Sequence, residues 1–211
     1  TEIPNSVMVP AGTPEYQSAK TLGYAPDKAR ALMAEAGYPD GEGWPGMEFL
    51  FNTSENHRKI AVALQQMWKD ELNIKITLAN QEWKVYLDTV DERDYTLSRM
   101  GWIAPDLNPA TFLDIFTSDN GINRTGFSNA RYDEIMLELV PPTANQQERN
   151  ELMQEAEAIL LDAVPVIPLY TYNSKHLVQP SVEGATPNVL DIQNFKFISL
   201  NPDTPVWTDK D

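Results

Sequence analysis

The sequence predicts an α/β domain in which a small mixed sheet is flanked by helices, and three observations carry that expectation. Residues 47–100 run strand, helix, strand, helix, strand, an order that right-handed crossovers turn into a parallel sheet. Two further helical patterns follow, with Tyr132, Ile135, Met136 and Leu139 on one face and Leu152, Ala156, Ile159 and Leu160 on the next. The chain has 211 residues, 42% of them hydrophobic, with 5 Trp, 8 Tyr and 7 Phe, which is enough to build a core without covalent staples.

Each element has local support. Residues 1–25 hold Pro4, Pro10, Gly12, Pro14 and Gly23 with little periodicity, so they read as an extended lead-in. Asp27 is placed to cap a helix over 28–36 that stops at Gly37, before Pro39, with Ala29, Leu32, Met33 and Ala36 as its apolar face. Residues 47–52 have the length and aromatic content of a strand. Thr53 and Ser54 then offer caps for a helix over 56–72, where Ile60, Leu64, Met67, Trp68 and Leu72 recur at helical spacing. Alternation of Ile74, Ile76 and Leu78 predicts a strand over 73–79, Trp83, Tyr86, Leu87 and Val90 a helix, and residues 94–100 a third strand.

Residues 101–130 are turn-rich, broken by a short helix over 110–116, and so long a connection inside a compact domain is more often functional than idle. The last long helix opens at Asn145 with Glu148 in capping-box register. Residues 164–172 read as a strand that Pro165 and Pro168 confine to an edge or a bulge. Beyond Pro180 the pattern is irregular, with one last strand over 195–200 and a polar tail.

Composition removes several functions. With 31 acidic and 16 basic side chains the net charge is −15, and the absence of a basic stripe argues against nucleic acid and anionic membranes. The acidity itself reads as a solvated surface. Zero cysteine excludes thiol catalysis, disulfides and Cys-based metal sites, and it suits an oxidising compartment. No stretch approaches the ~20 apolar residues that span a bilayer. The chain opens at Thr1 without a leader and reads as a processed or truncated product.

No metal site is expected, because His57 and His176 stand alone and lack neighbours at ligand spacing. Asp119, Asn120 and Asn123 around Gly121 superficially suggest a calcium loop, but the ligand order and the terminal Glu are absent. Nucleophile elbows and phosphate-binding glycine loops are also missing, so no cofactor is expected. Paired carboxylates remain open as an alternative, a secreted hydrolase domain, although nothing singles out two of the 31 acids.

The loop after the third strand stands out. In an open parallel sheet ligands sit beyond the carboxyl ends of strands, and residues 99–109 leave from such an end. Trp102 offers a flat apolar wall, Asp106 an anionic acceptor and Asn108 an amide that both donates and accepts, a set that suits an amine-bearing ligand. The same residues also fit a structural role, with Trp102 in the core, Asp106 and Asn108 capping the helix at Ala110, and Arg99 paired to a surface acid. The residues alone leave both readings open.

Residues 99–116 (RMGWIAPDLNPATFLDIF) and 123–133 (NRTGFSNARYD) resemble the signature region of the oligopeptide-binding class of extracellular solute-binding proteins, family 5. Residues 23–43, 51–61, 156–172 and 178–184 extend the likeness in consistent order over nearly 7–200. The resemblance implies a lobe of the type II periplasmic-binding-protein fold and a non-enzymatic substrate-binding component of an ABC importer, periplasmic or extracellular, free or tethered to the membrane. Its partners would be a peptide or related small solute, the permease subunits and an amino-terminal lobe outside this chain. Residues 1–184 would form one lobe, and residues 185–211 a tail that returns to the missing one. The family commonly reads W-x-x-D-Y, with the Asp holding a peptide's ammonium. Here Pro105 stands in that register and Asp106 follows it, so that either Asp106 takes the role or the amine anchor is lost. Arg99 aligns with a position that can be basic and face a ligand carboxylate. The expected ligand-binding residues are therefore Arg99, Trp102, Asp106 and Asn108.

Overall fold

The computed structural model describes residues 2–188 and 190–204. In chain order the elements are β1 (Ile3–Pro4), α1 (Pro26–Glu35), β2 (Met47–Asn52), α2 (Glu55–Leu72), β3 (Ile76–Gln81), α3 (Trp83–Asp91), β4 (Leu97–Ser98), α4 (Ala110–Leu113), α5 (Ala130–Asp133), α6 (Gln146–Ala163), β5 (Tyr170–Thr171), β6 (Val182–Glu183) and β7 (Ser199–Leu200). Tight 3-10 turns cover Pro39–Gly41, Asp114–Phe116 and Phe195–Phe197, and α5 runs on into a π-wound turn over Glu134–Leu139.

The central sheet has the order β3-β2-β4 and is parallel throughout. Register runs from Met47 opposite Ile76 to Asn52 opposite Gln81, and Phe49 and Leu50 face Leu97 and Ser98 on the other flank. β3 lies to one side of β2 and β4 to the other, so right-handed crossovers place α2 and α3 on opposite faces. Side chains follow the period of two. Phe49, Phe51 and Ile76 pack with Ala61, Leu64 and Trp68 of α2, whereas Leu50 and Ala79 pack with Tyr86 and Val90 of α3. Among the described residues antiparallel pairing is confined to two separate ribbons, β1 with β5 and β6 with β7.

A second core joins α4, α5, the π-wound turn and α6 through Leu113, Phe116, Tyr132, Ile135, Met136, Met153, Ala156 and Leu160. Each of the Leu, Ile, Met and Phe side chains among them contributes roughly 1.5–3 kcal/mol by leaving water. Val9 and Tyr16 of the lead-in enter this core, so that segment is packed although it is not regular.

Several expected boundaries move. β3 begins at Ile76 because Asn73 ends α2 in the left-handed region, with φ 53°. Val164 does the same at the end of α6, with φ 50°, and Pro165 and Pro168 have no N–H to pair, so only Tyr170 and Thr171 remain as strand. The strand expected over 94–100 is reduced to β4, and that over 195–200 divides into a 3-10 turn and β7. Ala25, and not Asp27, is the N-cap of α1. Pro26 opens the helix, and the Asp27 carboxylate accepts from Arg30 at 2.6 Å. Of the apolar face expected there, Met33 alone packs against a core cluster, and Leu32 is exposed. Met67 of α2 is exposed as well. The expected tail falls partly outside the described residues, at 205–211.

Candidate functional site

The carboxyl ends of β2, β3 and β4 are Asn52, Gln81 and the Ser98–Arg99 step. Arg99 prolongs the ladder by one bond, its N–H donating to the Leu50 carbonyl at 2.8 Å, and its own carbonyl accepts from the Tyr86 hydroxyl. At this edge the side-chain oxygens of Asn52 and Gln81 are buried and have no hydrogen-bond partner among the described residues.

The Arg99 side chain is half-buried, and its partner is a tyrosine. Nη2 donates to the Tyr172 hydroxyl, and the guanidinium lies 5.7 Å from the centre of that ring. The Tyr170 hydroxyl donates to that of Tyr172 at 3.2 Å, the two rings meeting edge to face at 5.1 Å. Gly101 leaves the room this requires, because a Cβ there would lie 3.2 Å from Arg99 Nη2 and 3.4 Å from Tyr172 Cε2. Arg99 has no carboxylate partner among the described residues, so Tyr172 stands where the structural reading of the loop would put a surface acid.

His57 sits in the first turn of α2, its Nδ1 3.4 Å from the Asn52 carbonyl. Burial, and then the positive charge of Arg99, hold its pKa below the ordinary value. The imidazole is therefore neutral at neutral pH and faces the field of a cation.

Trp102, Asp106 and Asn108 belong to the approach to α4. The half-buried indole of Trp102 donates Nε1–H to the Thr111 carbonyl at 2.9 Å. Asp106 is exposed and accepts the Asn108 N–H at 2.9 Å; Asn108 Oδ1 accepts the Ala110 N–H at 3.0 Å. These are the capping bonds that residue types Asp and Asn make before a helix. The other Asp106 oxygen and the Asn108 amide NH2 have no partner among the described residues. Trp83, half-exposed and stacked on Tyr86 at 5.9 Å, is a further aromatic surface on α3.

Sequence reasoning did not connect Tyr170, Tyr172 and His57 to this edge. Tyr172 lies 73 residues from Arg99, and the only local signal is that two tyrosines at i and i+2 share one face of a strand.

The loop that resembles a calcium site is filled by the protein. Asn123 is buried, its Nδ2 donating to the carbonyls of Phe116, Thr117 and Phe127 and its Oδ1 accepting from Thr125. Among the described residues no group of three or more His, Cys, Asp or Glu side chains is placed to hold a metal.

The comparisons agree with this architecture. The family model for bacterial extracellular solute-binding proteins, family 5, middle part, matches residues 1–124. The periplasmic murein peptide-binding protein MppA of Escherichia coli is 36% identical over 159 residues, 74% of this chain and 29% of that protein. The oligopeptide-binding protein OppA of Bacillus subtilis is 34% identical over 153 residues, covering 72% and 28%. The crystal structure of the oligopeptide-binding protein OppAIV from Borrelia burgdorferi superposes with a TM-score of 0.85 at 31% identity, over 95% of this chain and 41% of that one. The chain thus spans under a third of the curated relatives it matches. Its α/β fold is that of the type II periplasmic binding proteins. With a family match over more than half of its length, the chain belongs to the bacterial extracellular solute-binding proteins of family 5.

Proposed function

We propose that this chain supplies one lobe of the substrate-binding component of an ABC importer, that residues 1–184 form the lobe, and that its carboxyl sheet edge is half of a cleft for peptides. The observation that carries the reading is Arg99. It is a half-buried cation at the ligand end of a parallel sheet, held by Tyr172, with no carboxylate partner among the described residues although the chain has 31 acids. Such a group is an acceptor's partner in waiting, and a peptide's terminal carboxylate fits its fork. Relatives named for murein peptides and oligopeptides support a peptide as the ligand.

In this reading Trp102 forms an apolar wall, the spare Asp106 oxygen takes the ammonium role that Pro105 cannot, and the free Asn108 amide donates to a backbone carbonyl. A second lobe closes over the ligand by hinge motion and the closed form meets the permease in the periplasm or at the cell surface, with no bond broken. Residues 185–211 return to that lobe. This is supported by Phe195, Phe197 and Leu200, which lie 80%, 66% and 74% exposed on the present chain.

Calorimetry with a pool of tri- to pentapeptides tests the account. The chain alone is expected to bind weakly, because half the contacts are elsewhere, and Arg99→Ala is expected to lower the affinity for free-acid peptides by roughly tenfold or more. Tight binding by this chain, hydrolysis of the pool, or an unchanged affinity in Arg99→Ala would each overturn it.

A further inference from the structure

We propose that Tyr172, backed by Tyr170, is a positioning residue that holds the Arg99 guanidinium ready for an anionic ligand group. Three independent features of the edge lead there. The Tyr172 hydroxyl accepts from Nη2 and its ring lies under the cation at 5.7 Å, so one aromatic residue restrains both the plane and the end of the arginine. Tyr170 donates to the same hydroxyl at 3.2 Å and braces the ring edge to face, so Tyr172 itself is held from the far side. Gly101 supplies the space, since any Cβ would press on both groups.

What the restraint leaves free matters as much. Arg99 commits one N–H of Nη2 to Tyr172, while the second Nη2 N–H, Nε and Nη1 have no hydrogen-bond partner among the described residues. The second Nη2 N–H and the nitrogen that shares its edge form a two-pronged donor pair that can meet both oxygens of a carboxylate. An arginine loses much of its rotamer freedom when it grips a ligand, and an arginine immobilised beforehand loses less, which is how preorganisation raises affinity. A carboxylate partner could also have fixed Arg99, but it would have cancelled the charge. A tyrosine fixes it and leaves the charge available.

The inference rests on the proposed role of Arg99 as the anion anchor, so the experiment has two separate arms. In the first, nitrogen-15 NMR of this chain without ligand reads the rotation of the Arg99 guanidinium. Slow rotation is expected in the native chain, faster rotation in Tyr172→Phe and Tyr170→Phe, and free rotation in Tyr172→Leu. Free rotation in the native chain, or no change in Tyr172→Leu, overturns the positioning role whatever the chain binds. In the second, acetyl-trialanine and its carboxyl-terminal amide are titrated into each variant. The native preference for the free acid is expected to fall roughly tenfold in Tyr172→Leu, with the amide's affinity unchanged. Equal losses for acid and amide would mark Tyr172 as a general packing residue and overturn the proposal. A native chain with slow rotation but no preference for the acid would instead remove the anion-anchor reading of Arg99 and leave the clamp as structure.

Discussion

The Tyr16 hydroxyl donates to Glu157 Oε2 at 2.9 Å inside the helical core, between residues 141 positions apart. The other oxygen of Glu157 accepts the N–H groups of Met8 and Val9, each at 2.9 Å. Glu157 is 1% exposed and has donors on both oxygens, so a carboxylate sits in the core with dipoles in place of a counter-cation. Burial, and then the charge of Glu157, push the Tyr16 hydroxyl pKa far up, and it stays a donor at every ordinary pH. Through these three bonds Glu157 fastens the irregular part of the lead-in, beyond β1, to the helical core.

Glu157→Gln is therefore expected to destabilise by about 1–3 kcal/mol, since an amide has one acceptor oxygen in place of two: its NH2 can face only the Tyr16 hydroxyl, which must then accept and leave its own hydrogen without this partner. Tyr16→Phe removes one bond and should cost about 1–2 kcal/mol. The double variant should cost less than the sum, because both substitutions break the same contact. Urea denaturation of the three variants checks this, and full additivity would show that the contact carries no coupling.

Asn123 is expected to be a structural hub, not a metal ligand. Its amide ties the end of the 3-10 turn after α4 to Phe127, and its backbone carbonyl accepts from Arg93 Nη2 at 2.9 Å, so the loop is fastened to the end of α3. Asn123→Asp keeps the oxygen but replaces three donated bonds with lone pairs facing carbonyls, and a loss of about 2–4 kcal/mol follows. Calcium should leave the melting temperature unchanged in the native chain, as should a chelator. A calcium-dependent rise of several degrees would show that the loop binds the ion.

The long elements were legible because period two and period 3.6 are carried by adjacent residues, as in Phe49 and Phe51 or Met153, Ala156 and Leu160. Their ends were not, because Asn73 and Val164 terminate helices in the left-handed region where glycine is the usual signal. Glu157 had a readable signal that its acidic neighbourhood obscured. Glu155, two places earlier, is exposed and pairs with Arg131, whereas Glu157 falls inside the stripe of Met153, Leu160 and Leu161. At the candidate site the turn chemistry of Asp106 and Asn108 was visible locally, and the hydrogen bonds to Asn108 and Ala110 follow it. The contact of Arg99 with Tyr172 was not, since the two residues stand 73 positions apart and meet only in the folded chain.

His57 predicts a pH dependence. Its folded pKa is depressed, first by burial and then by Arg99, below the ordinary 6.5, so the unfolded chain binds the proton more readily than the folded one. Its contribution to stability is complete above about pH 6.5 and is lost as the pH falls from there through the folded pKa. His57→Gln should flatten the stability profile in that window. Arg99→Gln should raise the His57 titration toward its ordinary value without reaching it, since burial remains, and an unmoved NMR titration would show that the guanidinium does not act on the imidazole.

Gly101→Ala separates folding from the state of the site. Gly101 does not need a positive φ, so alanine is compatible with its backbone, and the two atoms that a Cβ would crowd are the ends of long side chains. The arginine and tyrosine can give way by a few tenths of an ångström, so the melting temperature should stay close to native, a change within about 0.5 kcal/mol. The contact between Arg99 and Tyr172 cannot keep its geometry at the same time. Guanidinium rotation should accelerate, and the crystal structure of the variant should show the Tyr172 ring displaced from the cation. A variant that is as stable as native but retains the ring in place would show that the crowding is relieved elsewhere and that glycine at this position has another cause.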